Sequence, residues 1–280
     1  MWAINKSPLI LGCPTLPSLI PAEALDIVSN TEVISLNQDP LGQQAQLVRR
    51  YTEEQWDIWA GNLSGSRLVV GLANWKNSSS RISVDLAAVL GVSSASARNV
   101  WASQNLGKVS GTYTTTLAGH EMQILVLSNI LASNKTLNSV GYYTAAEATL
   151  AGSAAVTMCA DGGCLPSHNK VGYITEDASV TFNHVTVSSA GAKLVGVDFI
   201  NYDVALESAW SGGTSSRNMT VSVNQGTAKR WDYPISGGDW FETGRLLIEV
   251  EGLKAGNNTV VFRAHNGYAP DLVGIEVFET

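Results

Sequence analysis

The chain has 280 residues, 45% of them hydrophobic and 15% charged, with a formal net charge of −7. That length predicts roughly two domains with enough apolar material for packed cores. The acidic balance disfavours nucleic acid and anionic membranes as partners, no apolar run approaches the roughly 18 residues of a membrane span, and the N-terminus carries neither a basic region nor a small-residue cleavage site.

Residues 1–48 open with the apolar run Met1-Trp2-Ala3-Ile4-Asn5-Lys6-Ser7-Pro8-Leu9-Ile10-Leu11-Gly12, which predicts a strand at about Ser7 to Leu11. Pro21 suits the first turn of a helix with Leu25 and Val28 on one face. Asn30 and Glu32 begin a second helical piece that ends before Asp39-Pro40. One strand and one helix make a single β-α unit, which cannot bury a parallel strand without neighbours on both sides. Glu23 and Asp26 share a helix face and read as a solvated surface rather than an acid/base pair.

The strand, together with Asn37-Gln38-Asp39-Pro40-Leu41-Gly42, resembles the last strand and helix of the catalytic barrel in α-galactosidases of glycoside hydrolase family 27. The resemblance runs over about 45 positions, and it implies that residues 1–48 are a remnant of a (β/α)8 barrel, with Met1 an interior methionine serving as a start. Unsupported by barrel neighbours, Pro8 to Leu11 is expected to promote aggregation. Deleting residues 1–45 is expected to improve solubility.

From Gln46 to Leu131 the period becomes two. Trp56, Ile58 and Ala60 alternate with Gln55, Asp57 and Trp59, and after a turn at Asn62-Leu63-Ser64-Gly65 the alternation resumes with Leu68, Val70 and Leu72. Further strands are predicted at Ile82–Leu86, Ala97–Ala102, Thr112–Thr116 and Glu121–Leu127, a spacing that suggests an antiparallel sandwich over residues 49–131. The pattern is similar to the β-domain that follows the barrel in family 27. Trp56, Trp59 and Trp101 read as packing residues and His120 as a turn or interface residue.

Residues 132–139 are polar and aperiodic, a linker. A second all-β domain is predicted over 140–280, with alternation at Val195, Val197, Phe199; Leu246, Ile248, Val250; Val260, Phe262, Ala264; and Val273, Ile275, Val277. Val180 and Phe182 have the opposite parity to Val185 and Val187, which a bulge near Asn183-His184 would reconcile. The fold class is therefore mainly β: two antiparallel β-sandwiches preceded by a single β-α remnant.

The second domain carries Tyr143-Thr144-Ala145-Ala146-Glu147-Ala148, Gly172-Tyr173-Ile174 before Ser179-Val180-Thr181-Phe182, Gly237-Gly238-Asp239-Trp240, and Ala255-Gly256-Asn257-Asn258-Thr259-Val260. These features resemble the family 35 carbohydrate-binding modules. A sugar site needs an aromatic platform and a few polar partners, and the resemblance implies that Tyr173, Trp240 and Asn266 supply them. Each also has a structural reading: core packing for Trp240, a strand-opening residue for Tyr173, a turn for Asn266. The implied partners are galactosides or plant polysaccharides. Many such modules hold a structural calcium through an early glutamate, here Glu147, and an aspartate in the closing strand, where this chain has Val273. A hard cation wants six to eight oxygens, so the missing carboxylate makes that cofactor doubtful.

Of three cysteines, Cys159 and Cys164 flank Ala-Asp-Gly-Gly. Two ligands without a C-x-x-C spacing fit a metal or redox site poorly, and a structural disulfide is preferred, contributing roughly 2 kcal/mol by loop-closure entropy. Cys13 is left with a partner upstream or as a buried thiol. Six Asn-x-Ser/Thr sequons occur, at Asn5, Asn62, Asn77, Asn134, Asn218 and Asn257. Asn5 lies in the expected strand and is set aside as an acceptor, while Asn62 and Asn257 fall in turn-like stretches. Cysteine pair and sequons together suggest a secreted parent, its signal upstream.

Family 27 enzymes are retaining glycosidases with two aspartates on barrel strands, roughly 5 Å apart. In the barrel portion this chain offers Glu23, Asp26, Glu32 and Asp39, none at the end of the expected strand, so no catalytic residue carries over. The resemblance implies the C-terminal portion of an α-galactosidase that retains at most glycan binding. A stand-alone carbohydrate-binding protein and a structural β-sandwich without sugar affinity are the alternatives.

Overall fold

The computed structural model describes residues 1–280 apart from Cys13, Thr15, Thr136, Ala160, Asp161, 205–214 and Thr280. The alternatives for Cys13 therefore lie outside the described residues. The chain divides into two compact units, Met1–Arg49 with Gln55–Thr136, and Arg50–Glu54 with Leu137–Thr280.

The first unit contains α1 (Ala22–Val28), α2 (Thr31–Asn37) and α3 (Leu86–Leu90), with β1 (Gln46–Tyr51, its last two residues belonging to the second unit), β2 (Trp56–Leu63), β3 (Arg67–Asn74), β4 (Ser80–Asp85), β5 (Val92–Asn99), β6 (Gln104–Ser110), β7 (Thr112–Leu117) and β8 (Met122–Ala132). A six-stranded sheet runs β1-β2-β3-β8-β5-β6, and β4 and β7 form a separate two-stranded sheet. Both helical pieces form as the sequence predicts. Asn30 caps α2, its Oδ1 accepting from the Glu32 and Val33 amides at 3.1 and 3.0 Å. Asp85 caps α3 in the same way through Ala87 and Ala88, and Gly91 ends that helix at φ 67°, the left-handed conformation glycine adopts without steric cost.

The strand expected at Ser7–Leu11 is not formed. Residues 7–12 have no regular structure, and the Ser7 carbonyl instead accepts from Asn37 Nδ2 at 2.8 Å. A parallel strand needs flanking strands to take up its amides and carbonyls, and among the described residues none lies alongside. Leu9, Ile10 and Leu11 are exposed in consequence. With Trp2, Ile27 and Trp101 they line an apolar cavity of about 620 Å³.

The rest of the segment is anchored. Ala3, Ile4, Val33, Leu36 and Ala45 form one buried cluster with Leu63, Val69, Val100 and Ile124 of the sheet, and the Ala45 amide donates to the Ile4 carbonyl at 2.9 Å. This explains why β3 is buried from Val69 through Asn74 rather than on alternate residues: its second face lies under residues 3–45. Asp39 is buried and accepts from the Ser64 amide and hydroxyl at 2.9 and 2.8 Å and from Arg67 Nη2 at 2.9 Å, which fastens the Asn-Gln-Asp segment to the β2–β3 turn. Burial works to raise the Asp39 carboxyl, but the Ser64 and Leu41 hydrogen bonds and the Lys6 charge outweigh it and hold it below the usual aspartate range. Glu32 is paired with Arg98, with Nε–Oε2 at 2.6 Å, and these hydrogen bonds draw its carboxyl down to about 2.

The second unit contains β9 (Asn138–Thr144), β10 (Thr149–Ala151), β11 (Ala155–Met158), β12 (Asn169–Gly172), β13 (Ser179–Val187), β14 (Gly191–Ile200), β15 (Ser216–Val223), β16 (Lys229–Pro234), β17 (Gly244–Leu253), β18 (Gly256–Ala264) and β19 (Asp271–Glu279). One sheet runs β10-β13-β18-β15-β16 and the other β11-β12-β19-β14-β17, with β9 also on β19. The predicted alternating residues fill the space between them. Phe182 meets Phe262 edge-on at 5.7 Å between ring centroids, and Phe199 of one sheet meets Tyr233 of the other at 5.0 Å. The β13–β18 register shifts between Phe182 and Val185 with His184 at φ 59°, the bulge that the parity change requires.

Candidate functional site

Antiparallel order brings the β12–β13, β16–β17 and β18–β19 connections to one end of the second sandwich. These loops carry Tyr173, Trp240 and Asn266, so the three residues singled out by sequence share that end. Hydrogen bonds tie the loops together: Ala269 N to Ile174 O at 2.9 Å and Gly267 N to Glu176 Oε1 at 3.1 Å. Tyr173 and Asn266 adopt φ of 56° and 59°, left-handed values uncommon for residues with a side chain and concentrated where surrounding structure fixes a loop.

The Trp240 loop is organised by its own polar residues. Asp239 Oδ1 accepts from the Phe241 and Glu242 amides at 2.7 and 3.0 Å, and Ser236 Oγ donates to Glu242 O at 2.8 Å. The Phe241 carbonyl accepts from the Cys164 amide at 2.8 Å. Cys159 and Cys164 form a disulfide with Cα atoms 6.0 Å apart, and Cys164 is fully buried with Ile200 and Val273. Trp240 packs against this cluster while remaining half-buried, so it combines the packing and loop roles.

Around the indole stand residues that the sequence reading did not single out. The Arg217 guanidinium carbon lies 4.9 Å from the Trp240 ring centroid and 5.9 Å from that of Tyr268. Arg217 donates to Asp203 Oδ2 and to Ala269 O, each at 3.2 Å. Lys170 Nζ donates to Trp240 O at 2.6 Å and pairs with Asp271 Oδ2 at 2.7 Å. Burial raises the Asp271 carboxyl, and the adjacent Lys170 and Arg217 charges partly offset this. Tyr202 meets Trp240 edge-on at 6.5 Å. Outermost are Tyr173, 62% exposed, and Tyr268, 57% exposed. The only advance signal for Tyr268 was its place in His265-Asn266-Gly267-Tyr268; Arg217 and Lys170 sit on strands and gave none.

Glu147 lies exposed on the 3-10 turn Ala145–Glu147, whereas Val273 is fully buried among apolar side chains. These two positions supply one carboxylate, against the six to eight oxygens a calcium ion takes. Among the described residues no three His, Cys, Asp or Glu side chains converge as a metal site. In residues 1–48 Glu23 and Asp26 are exposed, and Glu32 and Asp39 are engaged as above. Of the sequon asparagines, Asn62, Asn77, Asn134 and Asn257 are exposed, but Asn218 is half-buried in β15 and accepts from Arg230 at 3.0 Å, a place where a glycan would displace a neighbour. No helix among the described residues is long and apolar enough to cross a membrane.

Residues 53–127 match the family described as the alpha galactosidase C-terminal beta sandwich domain. A probable alpha-galactosidase D of Aspergillus fumigatus is 28% identical over an alignment covering 100% of this chain and 58% of that protein, and alpha-galactosidase D of Emericella nidulans is 26% identical with the same coverage. The chain thus spans under two thirds of the length of these relatives. Among solved structures, a family 35 carbohydrate binding module from Clostridium thermocellum is 27% identical, covering 50% of this chain and 99% of that one at a TM-score of 0.43. Alpha-galactosidase I from Mortierella vinacea is 28% identical, covering 48% of this chain and 34% of that one at a TM-score of 0.44. Along its whole length the chain is similar to fungal alpha-galactosidase D proteins, and residues 53–127 match the alpha galactosidase C-terminal beta sandwich domain.

Proposed function

We propose that this chain is the non-catalytic, glycan-binding C-terminal part of a secreted α-galactosidase-type protein, in which hydrolysis of terminal α-galactosyl residues belongs to a longer catalytic barrel. What supports the reading is that Trp240, Tyr173 and Asn266 lie on loops at the same end of the second sandwich, where Tyr268 is also exposed. Exposed aromatic faces suit the C–H faces of a sugar, and the surrounding amide and carboxylate groups suit its hydroxyls. The ion pairs of Glu32 with Arg98 and of Asp39 with Arg67 support a structural role for these two carboxylates. The disulfide and the exposed sequons at Asn62, Asn77, Asn134 and Asn257 support passage through an oxidising secretory route.

Calorimetry of the 280-residue chain with galactosides and plant polysaccharides tests this. Binding should be detectable and should fall about tenfold or more in Tyr173→Ala and Trp240→Ala, as loss of a stacking aromatic implies. No nitrophenyl α-galactoside should turn over. A chain that binds no glycan would favour the purely structural reading, which the stacking of Arg217 on Trp240 also accommodates.

A further inference from the structure

We infer that the loop-end site takes an uncharged glycan and discriminates against uronic acids, an inference that rests on the glycan-binding reading above. Within residues 170–177, 201–204, 215–217, 235–243 and 265–271 there are two cations, Lys170 and Arg217, against six carboxylates: Glu176, Asp177, Asp203, Asp239, Glu242 and Asp271. The field at this end repels a carboxylate ligand.

Neither cation is placed to overcome that repulsion. The Lys170 side chain is 8% exposed, pairs with Asp271 and donates to the Trp240 carbonyl, and its ammonium also sits 5.3 Å from the Phe241 ring centroid. The Arg217 side chain is 16% exposed, bonded to Asp203 and Ala269 and flanked by the Trp240 and Tyr268 rings. Turning either cation toward a ligand carboxylate would separate it from the poorly solvated Asp271 or Asp203 with which it is paired, a costly rearrangement. A neutral sugar meets no such obstacle. Its hydroxyls donate to carboxylates, and its C–H faces stack on the exposed Tyr173 and Tyr268 rings. Arg217 and Lys170 act here as positioning residues that hold Trp240, not as ligand contacts.

The test is calorimetry of the full chain with neutral galactose, arabinose and mannose oligosaccharides and with galacturonate and glucuronate oligosaccharides, at low and high ionic strength. At least one neutral set should bind about tenfold more tightly than the uronates, with a gap that narrows as salt screens the carboxylates. The double variant Glu176→Gln with Asp239→Asn keeps acceptors for the Gly267, Phe241 and Glu242 amides while removing two charges, so the fold is preserved. It should narrow the gap about fivefold. Uronates binding as tightly as neutral sugars would overturn this inference alone. A chain that binds neither set overturns the inference together with the glycan-binding reading.

Discussion

Ile4 offers the sharpest test of how residues 1–45 are held. Its side chain is 1% exposed and belongs to the cluster with Val33, Leu36, Val69, Val100 and Ile124, and its carbonyl bonds the Ala45 amide. Ile4→Ala removes three carbons, about 2.4 kcal/mol at ~0.8 kcal/mol per buried methylene. The cavity left behind adds to this, giving ~3 kcal/mol, inside the range of about 2–5 kcal/mol for such substitutions. For a unit of this size the corresponding fall in melting temperature is about 10 °C. Ile10→Ala is the control: Ile10 is 78% exposed, and its change should stay within about 0.5 kcal/mol. Differential scanning calorimetry of both variants reads the difference directly. If Ile4→Ala proved as neutral as Ile10→Ala, the segment would not be packed on the sheet. The same reasoning reverses the expectation that deleting residues 1–45 improves solubility, since deletion would uncover Val69, Val100 and Ile124.

Three further outcomes follow from the polar contacts. Because Arg98 holds the Glu32 carboxyl down to about 2, the pair contributes stability that is present above the ordinary glutamate range and lost as pH falls toward 2; acid titration followed by circular dichroism should show a shallower loss over that interval in Glu32→Gln. Asp39→Ala removes the acceptor of the Ser64 amide and hydroxyl, the Leu41 amide and Arg67, and should cost about 2 kcal/mol in urea unfolding, whereas Arg67→Ala, at the exposed end of the same ion pair, should cost about 1 kcal/mol or less. Paired Cys159→Ser and Cys164→Ser should lower the stability of the second unit by roughly 2 kcal/mol, as expected for so short a loop, with no effect on the first.

The elements that were legible in advance are those whose side chains face one core. Val195, Val197 and Phe199 on β14 and Leu246, Ile248 and Val250 on β17 alternate because one face of each strand is buried, and the parity change across Asn183-His184 marked the bulge in β13. β6 was missed because residues 104–110 form a sheet-edge strand with little burial on either face, so no apolar alternation is written into it. α3 was missed although Asp85 and Gly91 bracket it with a cap and a stop. Ala97–Ala102 was placed late, since β5 ends at Asn99 and Trp101 lies in the turn beyond, 40% exposed. At the candidate site, Tyr173, Trp240 and Asn266 stood out as aromatic or turn residues in glycine-containing loops. Arg217, Lys170 and Tyr202 carried no such mark, because what matters in them is proximity across strands distant in sequence.

The sequence by itself determined the two β-sandwiches, the helical pieces with the Asn30 cap, and the cysteine pair, since periodicity, capping and short-range spacing are local properties of a chain. It also pointed to the residues at the loop end of the second sandwich. Only the tertiary structure decided that Ser7–Leu11 forms no strand, that Ile4 and Asp39 nevertheless fasten the segment to the first sheet, and that Lys170 and Arg217 are neutralised by Asp271 and Asp203. Those outcomes depend on which distant groups reach one another: a strand exists only where partners take up its backbone hydrogen bonds, and the charge of a site is set by counter-ions that folding brings alongside.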